Sequence, residues 1–282
     1  MLTFLWGCFP FDPGTRVDEL RVMAVQSEPA EITPSQTVDI NVLIADPKAE
    51  GADVLVWPCT DLGEGCIEKE FFSSDMSSWV QRFDYEEPVT TLSYSIPAAL
   101  SMVVEQLPEE LIPFAGTVLW VLACIPEQCD SIAEYDQGTL SVDTLSRPST
   151  MIEGLDFGVA SLARRSLLIS NRTEEEKIQN PILTPLFSEE LQQAPSETKS
   201  LSFSYELTSP EAMEGFVFGY ASAGYIVEDY SRAFGEDDIT EPQTEATLEW
   251  TALETSEEGM IYVILEDGFG GLDFWMGEAR IE

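Results

Sequence analysis

The stretch Thr37-Val-Asp-Ile-Asn-Val-Leu-Ile-Ala45 sets the pattern of this chain. Four of its β-branched residues fall in one phase: Val38, Ile40, Val42 and Ile44. Because successive side chains of a β-strand point to opposite faces of the sheet, this spacing predicts a strand with one buried face. Val and Ile also favour strands over helices. The stretch therefore indicates a β-rich fold.

Similar apolar runs recur on both sides of this strand, separated by turn signals. They predict strands at Leu20–Val25, Asp53–Trp57, Val89–Ile96, Gly116–Cys124 and Arg164–Ser170. Residues 27–34 contain two prolines and predict a turn suited to a chain that crosses between two sheets. Strands of this length and spacing are typical of a sandwich, so residues 17–170 are predicted to form an immunoglobulin-like β-sandwich.

Less regular segments interrupt the strand pattern. Short helical insertions are predicted in the first domain at Ala98–Leu107, Ser131–Tyr135 and Met151–Leu162. After residue 170 the alternation stops, and residues 171–198 contain Asn180-Pro181 and Pro195. This composition predicts a linker over 171–198.

A second alternating region follows the linker. Two runs each place their apolar residues on one face: Leu201, Phe203, Tyr205 and Leu207, and then Ala246, Leu248, Trp250 and Ala252. Met260–Leu265 predicts a buried strand, Asp267–Gly271 a hairpin connection, and Leu272–Ile281 the returning strand. The expected fold class is therefore all-β, with two antiparallel immunoglobulin-like sandwiches, the second over residues 199–282.

The charge balance excludes several classes of partner. The chain has 52 Asp and Glu against 13 Lys and Arg, no His, and a formal net charge of −39. This charge repels phosphates, so nucleic acid and anionic lipid surfaces are not expected partners. Hydrophobic residues make up 44% and include six Trp, which excludes an acidic disordered chain. An acidic surface with few lysines indicates a salt-adapted protein, the alternative being an ordinary acidic secreted protein.

The first of five cysteines predicts a lipid anchor. Leu5-Trp6-Gly7-Cys8 is similar to a bacterial lipobox, which implies that residues 1–16 are a truncated lipoprotein leader and that Cys8 takes the lipid. This predicts a cell-envelope protein at the outer membrane or cell surface, held to the membrane only by that lipid. The alternative is an ordinary cysteine and a secreted chain. No run of about 18 apolar residues predicts a membrane-spanning helix.

The other four cysteines predict disulfides. Cys59 and Cys66 flank one short loop, and Cys124 and Cys129 flank another. Four cysteines allow three pairings, of which two local bridges are favoured because each loop carries the Gly or Pro that tight closure needs. A zinc site is the weaker alternative, since the chain has neither histidine nor a CxxC motif.

Several phrases resemble uncharacterised two-domain lipoproteins of myxobacteria and related deltaproteobacteria. The resemblance begins at Val17–Pro34, continues in Val42-Leu-Ile-Ala-Asp-Pro47 and Trp57-Pro-Cys59, and returns in Gly219–Gly224 and Val263–Gly271. It implies immunoglobulin-like domains and an envelope anchor, and it supplies no site residues and no activity.

The sequence predicts no catalytic residues. Without histidine, neither a Ser-His-Asp nor a Cys-His arrangement can form. The glycines Gly268, Gly270 and Gly271 lie in a predicted hairpin and are expected to serve the turn rather than to cradle a phosphate. An enzyme is therefore the third-ranked interpretation, and no cofactor is expected apart from a possible calcium ion.

Calcium and sugar are the small ligands that the loops suggest. Calcium binds carboxylate and carbonyl oxygens, and two acidic loops offer Asp237 with Asp238 and Asp267 with Asp273. The alternative for both loops is a solvated acidic surface. Aromatic rings for sugar stacking are offered by Trp79, Tyr225 and Tyr230, whereas Trp120 and Trp250 fall on apolar strand phases and are expected in the core.

These observations together predict a non-enzymatic, lipid-anchored envelope protein from a salt-adapted bacterium. It is expected to act as a binding or assembly module whose partner is an envelope protein or a surface glycan. The alternative function is a calcium-dependent carbohydrate-binding module.

Overall fold

The computed structural model describes residues 15–33, 36–49, 51–59, 81–85, 89–95, 116–127, 129, 159–170, 172–173, 175–187, 191–208, 215–227, 230–232, 244–268 and 270–282. These residues form an all-β structure. In chain order its strands are β1 (Arg21–Glu28), β2 (Glu31–Ile32), β3 (Thr37–Ala45), β4 (Asp53–Cys59), β5 (Gln81–Asp84), β6 (Val89–Ser95), β7 (Gly116–Cys124), β8 (Ala160–Ile169), β9 (Ile182–Pro185), β10 (Leu191–Gln193), β11 (Thr198–Glu206), β12 (Phe216–Ala221), β13 (Tyr225–Ile226), β14 (Tyr230–Arg232), β15 (Glu245–Thr251), β16 (Glu257–Glu266) and β17 (Leu272–Ile281). Within the ranges given above, no helix is long and apolar enough to cross a bilayer.

The first half of the chain forms two facing sheets. The first inner sheet has the order β1-β3-β6, and the first outer sheet has the order β2-β8-β7-β4-β5. Their facing side chains share one buried apolar core, which includes Ile40, Val54, Leu92 and Val121. Neighbouring strands within these two sheets are antiparallel, except that β2 runs parallel to β8. The chain thus crosses from the inner to the outer sheet between β1 and β2, as the proline-containing turn predicts.

The second half repeats this arrangement with its own core. The second inner sheet has the order β10-β17-β16-β12-β14, and the second outer sheet has the order β13-β15-β11-β9. Phe203, Val217, Trp250 and Val263 lie in the core between them. The alternation predicted for Leu201–Leu207 and Ala246–Ala252 is confirmed, since the apolar residues of both runs face this core.

A third apolar layer joins the two sheet pairs. Leu43 and Ala45 of the first inner sheet contact a cluster that includes Tyr262, Ile264 and Leu272 of the second inner sheet, and all five are buried. The four sheets therefore stack with apolar contacts at three interfaces. Both faces of β3 are covered toward its carboxyl end, which explains why the alternation of its sequence gives way to continuous apolar residues there.

The predicted linker is wrong. Residues 182–185 form β9, which pairs with β11, and residues 191–193 form β10, which pairs in parallel with β17. Leu183 and Leu191 are buried in the second core. The prolines mislead the sequence interpretation because β9 is an edge strand, where Pro185 does not remove a necessary backbone hydrogen bond. The second unit also contains a parallel pair, so it is not purely antiparallel.

Two further predictions need correction or lie outside the described residues. The end of the predicted helix at 151–162 is wrong, because Ala160 to Leu162 begin strand β8 and pair with β7. The remainder of that helix, and the helices predicted at 98–107 and 131–135, lie outside the described ranges.

Candidate binding site at the junction of the two sheet pairs

The connection between β16 and β17 is a closed hairpin loop at the junction of the two halves. The Asp267 amide donates to the Gly271 carbonyl at 3.2 Å, and the Gly271 amide donates to Asp267 Oδ1 at 2.8 Å. Gly268 and Gly270 have φ values of 72° and 110°, which favour glycine over other residues. The prediction that these glycines serve a turn is confirmed.

Two of the four carboxylates predicted to bind calcium, Asp267 and Asp273, accept hydrogen bonds from backbone amides. Asp267 is 1% exposed and holds its own loop closed. Asp273 Oδ2 accepts from the Leu183 amide at 2.8 Å, and Oδ1 accepts from the Phe274 amide at 2.9 Å. Burial raises the pKa of Asp273 despite these hydrogen bonds.

No group of three or more His, Cys, Asp or Glu suited to a metal is found among the described residues. Asp237 and Asp238 lie outside those residues. The calcium site therefore stays a prediction. In the described pair, Asp267 Oδ1 and both carboxylate oxygens of Asp273 accept hydrogen bonds from backbone amides.

Arg165 connects the hairpin to the first outer sheet. It projects from β8, is 9% exposed, and donates through Nη2 to the carbonyl of Gly270. Its Nε is buried and has no hydrogen-bond partner. Burial lowers the pKa of the Arg165 guanidinium, while Glu266 and Asp267 act in the opposite direction. Arg165 is thus a buried cation with an unsatisfied donor next to two acidic residues.

A cavity of about 110 Å³ opens beside this arginine. Its walls come from β1, β8 and the β16–β17 hairpin, so both halves of the chain contribute. The apolar wall consists of Val22, Met23, Ala24, Val25, Ala163 and Leu272, and the charged wall consists of Arg164, Arg165 and Glu266. We call this space the junction cavity.

Hydrogen bonds across the junction hold these walls in place. Gln26 Nε2 donates to the Leu272 carbonyl at 2.8 Å, and the Leu272 amide donates to Asn180 Oδ1 at 3.1 Å. Asn180 Nδ2 donates in turn to the Ser27 carbonyl at 2.8 Å. The segment around Asn180 therefore ties β1 to β17, which is a structural role that its Asn-Pro sequence does not reveal.

Two further arginines, Arg16 and Arg21, also lie at this junction. Arg16 Nη2 lies 3.2 Å from Glu257 Oε1, and the Arg21 guanidinium carbon lies 5.1 Å from the centre of the Tyr220 ring. In both cases the two partners come from different halves of the chain. Beside the apolar layer, cation–carboxylate and cation–π contacts thus join the sheet pairs.

The predicted aromatic residues fall into separate environments. Trp250 is fully buried and its Nε1 donates to the Ala223 carbonyl at 2.8 Å, so its core position is confirmed. The core position predicted for Trp120 is wrong, because this residue is half-buried beside Val118 on the other face of the first outer sheet. Tyr225 is half-buried in β13, Trp79 lies outside the described residues, and the side chain of Tyr230 is not described.

One predicted local disulfide is confirmed. Cys124 and Cys129 are bonded, with their Cα atoms 5.4 Å apart. Of the three pairings open to the four cysteines, only the one with two local bridges contains this bond, so Cys59 and Cys66 stay the predicted second pair. Cys66 and Cys8 lie outside the described residues.

Sequence reasoning missed Arg165. It also missed a Ser-x-x-Lys spacing, which runs from Ser196 to Lys199. Ser196 is an exposed turn residue with φ of 62°, and Lys199 follows in β11. Neither residue lines the junction cavity. The signal for Arg165 is the adjacent pair Arg164-Arg165 in a chain with only 13 basic residues.

Comparisons with known proteins add no assignment of family. No family model matches the chain, and no curated protein matches it in sequence. Similar solved structures include the fibronectin(III)-like modules of Clostridium thermocellum CbhA, with 9% identity, 92% of this chain and 93% of that chain covered, and a TM-score of 0.26. The D0-D1 domain of Intimin has 8% identity, coverage of 92% and 98%, and a TM-score of 0.24. The Dpr2 Ig1-Ig2 complex with DIP-Theta Ig1-Ig3 has 7% identity, coverage of 92% and 95%, and a TM-score of 0.27. At these values the likenesses carry no information on function.

Proposed function

We propose that this protein is a non-enzymatic binding or assembly module of the bacterial cell envelope. In this proposal it consists of two immunoglobulin-like sandwiches, is anchored through a lipid on Cys8, and works at high salt. Its partner is an envelope protein or a surface glycan, and the acidic surface suits a partner with a basic contact face.

The observation that carries this proposal is the third apolar layer between the inner sheets. It buries Leu43, Tyr262 and Ile264, and so gives the two sheet pairs a fixed relative placement. A module with pre-set surfaces binds without first ordering its own domains, which avoids part of the entropic cost of association. This arrangement suits a protein that presents surfaces to a partner.

The outer face of the second outer sheet offers such a surface. Opposite its buried residues, β11 and β15 present Ser, Thr and Glu. Ser202 Oγ lies 3.1 Å from Thr247 Oγ1, and Thr198 Oγ1 lies 2.8 Å from Thr251 Oγ1. These cross-strand hydroxyl pairs give a regular polar face with carboxylates of Glu245 and Glu249 beside them. Hydrogen-bonding faces of this kind fit a polar partner.

Cross-linking in the native envelope, followed by affinity capture of this chain and mass spectrometry, tests the proposal. Stoichiometric recovery of one dominant envelope protein supports an assembly module, and recovery of glycan alone supports a glycan-binding module. Recovery of neither would contradict the proposed function. A Cys8→Ser variant is the matched control, since it is expected to lose the lipid and to leave the membrane fraction.

A further inference from the structure

The junction cavity combines charges of both signs with an apolar wall. Arg165 supplies a nine-tenths buried guanidinium whose Nε has no hydrogen-bond partner, and Glu266 supplies an exposed carboxylate on another wall. Val22, Met23 and Leu272 are among the apolar residues that line the same cavity. Buried donors are almost always satisfied, so the Arg165 Nε marks a place for an acceptor.

We propose that the junction cavity binds a small aliphatic zwitterion, such as a small α-amino acid. The carboxylate of the ligand accepts from the Arg165 guanidinium, and its ammonium group pairs with Glu266. The aliphatic part contacts the apolar wall formed by β1 and Leu272. This inference is independent of the envelope anchor and of any macromolecular partner.

The charges around the cavity favour a zwitterion over a simple anion or cation. Arg164 and Arg165 are matched by Glu266 and by the neighbouring Asp267, so the local formal charge is close to zero. A free anion would also enter against a net charge of −39. An ammonium ion alone would leave Arg165 Nε unsatisfied, and its burial is costly without an acceptor.

The size of the cavity limits the ligand. Its volume of about 110 Å³ equals roughly four waters at about 30 Å³ each. A ligand of the size of alanine or slightly larger fits, whereas a sugar ring does not. Water alone can satisfy the Arg165 donor, so a hydrated cavity with no ligand preference is the outcome that opposes the proposal.

The test compares L-alanine with its two singly charged fragments, propionate and ethylamine, at constant ionic strength. Isothermal titration of the full chain is expected to give saturable binding of L-alanine, on the order of 1 mM or tighter for a ligand of this size, and at least about tenfold weaker binding of either fragment. The NMR signal of the Arg165 Nε–H, assigned by its loss in Arg165→Lys, is expected to shift with L-alanine at the same concentration.

Three variants locate the binding. Glu266→Gln is expected to lower the affinity for L-alanine at least about fivefold, because the ammonium group of the ligand loses its partner. The affinity for propionate, which has no ammonium group, is expected to stay the same or to rise. Ala163→Leu is expected to abolish binding because the larger side chain fills the cavity, while Arg165 itself is retained. Arg280→Gln, which removes an exposed cation of β17 that pairs with Glu258, is the control and is expected to bind as the wild type does.

Several outcomes would overturn the proposal. One is the absence of saturable L-alanine binding at 50 mM, and another is equal binding of all three compounds. Unchanged affinity in both Glu266→Gln and Ala163→Leu would place any binding elsewhere on the chain. These two variants keep Arg165 in place, so the result does not depend on whether a variant at Arg165 folds.

Discussion

The two tryptophans that the sequence predicts in the core, Trp120 and Trp250, take different positions. Trp250 is in the second core and donates its indole N–H to the Ala223 carbonyl at 2.8 Å. Trp120 lies beside Val118 on the outer face of its sheet, and its Nε1 has no hydrogen-bond partner. The same residue type therefore contributes differently to the free energy of unfolding.

We expect Trp250→Phe to lower the free energy of unfolding by about 2–4 kcal/mol, because it leaves the buried Ala223 carbonyl without its donor and opens a small cavity. The control Trp120→Phe is expected to cost under about 1.5 kcal/mol, since no hydrogen bond is lost. Urea unfolding at fixed sodium chloride measures both values. Equal losses in the two variants would contradict this assignment.

Asp273 gives the stability of the chain a pH dependence. Burial raises the pKa of its carboxyl group, so the folded chain takes up this proton at a higher pH than the unfolded chain does. Between the unfolded pKa and the raised folded pKa, the contribution of Asp273 to stability therefore falls as the pH rises.

Relative to Asp273→Asn, the wild-type chain is expected to gain free energy of unfolding as the pH is lowered from 7 towards 4, because only the wild type carries this titrating group. Chemical unfolding at a series of pH values measures the difference between the two proteins. Asp39→Asn, which removes one exposed carboxylate from β3, controls for the loss of a charge. A difference that stays constant with pH would show that Asp273 does not have a raised pKa.

At the scale of the element, the segment between the two halves contributes to the second core. Leu191 of β10 is 2% exposed, whereas Leu186, just after β9, is 51% exposed. A linker would expose both leucines similarly. The short strands are therefore part of the fold, although each is too short to show an alternation in the sequence.

Leu191→Ala is expected to lower the free energy of unfolding by about 2–4 kcal/mol, through lost burial and the cavity left behind. Leu186→Ala is the matched control and is expected to change it by less than about 0.5 kcal/mol. Thermal or urea unfolding measures both. A neutral effect of Leu191→Ala would restore the linker interpretation.

At the scale of the whole molecule, β3 connects two apolar interfaces. Ile44 faces the core between the first inner and outer sheets, and Leu43 faces the layer between the two inner sheets. Because the inner sheets contact through that layer, unfolding of one sheet pair exposes apolar surface of the other. The two halves are thereby coupled.

The wild-type chain is expected to unfold in urea in one cooperative transition. Leu43→Ala and Ile44→Ala are each expected to cost about 2–5 kcal/mol. Only Leu43→Ala should lower the m-value or separate two transitions, because it weakens the contact between the halves. Identical m-values in the wild type and both variants would mean that the third layer does not couple them.

The net charge acts on the whole molecule through screening. With a formal charge of −39, the folded chain repels itself, and added salt shortens the range of that repulsion from about 30 Å at 0.01 M to about 3 Å at 1 M. We expect the melting temperature to rise by several degrees, mainly below about 0.5 M sodium chloride. A melting temperature that is flat over this range, or that rises only above 1 M through solvent exclusion, would contradict the salt-adapted proposal.

Alternation predicted the strands well, since β3 and β7 begin and end at the predicted residues. It did not always predict which face of a strand packs in the core. Trp120 lies on an apolar phase, but β7 is apolar on both faces, so phase alone does not identify the core side. The same ambiguity applies to the last residues of β3, where both faces are apolar and buried. Periodicity reports that a face is apolar and does not report which neighbour covers it.

The candidate site was the least predictable part. Asp267 and Asp273 attract attention because acidic loops bind calcium, yet their oxygens accept hydrogen bonds from backbone amides. Asp267 accepts from Gly271 of its own loop, whereas Asp273 accepts from the Leu183 amide, which becomes its neighbour only when β9 and β17 meet. Arg165 and Glu266 are far apart in sequence and line one cavity only because the two sheet pairs stack. No local pattern encodes that contact.

The sequence by itself determined the all-β class, the local Cys124–Cys129 pairing and the hairpin at Asp267–Gly271, because each depends on residues close together in the chain. Only the tertiary structure decided that four sheets stack, that residues 182–193 join the second unit, and that a charged cavity forms at the junction. The physical reason is that side-chain period specifies which faces seek burial, whereas the partner of each face is chosen by packing among elements distant in sequence.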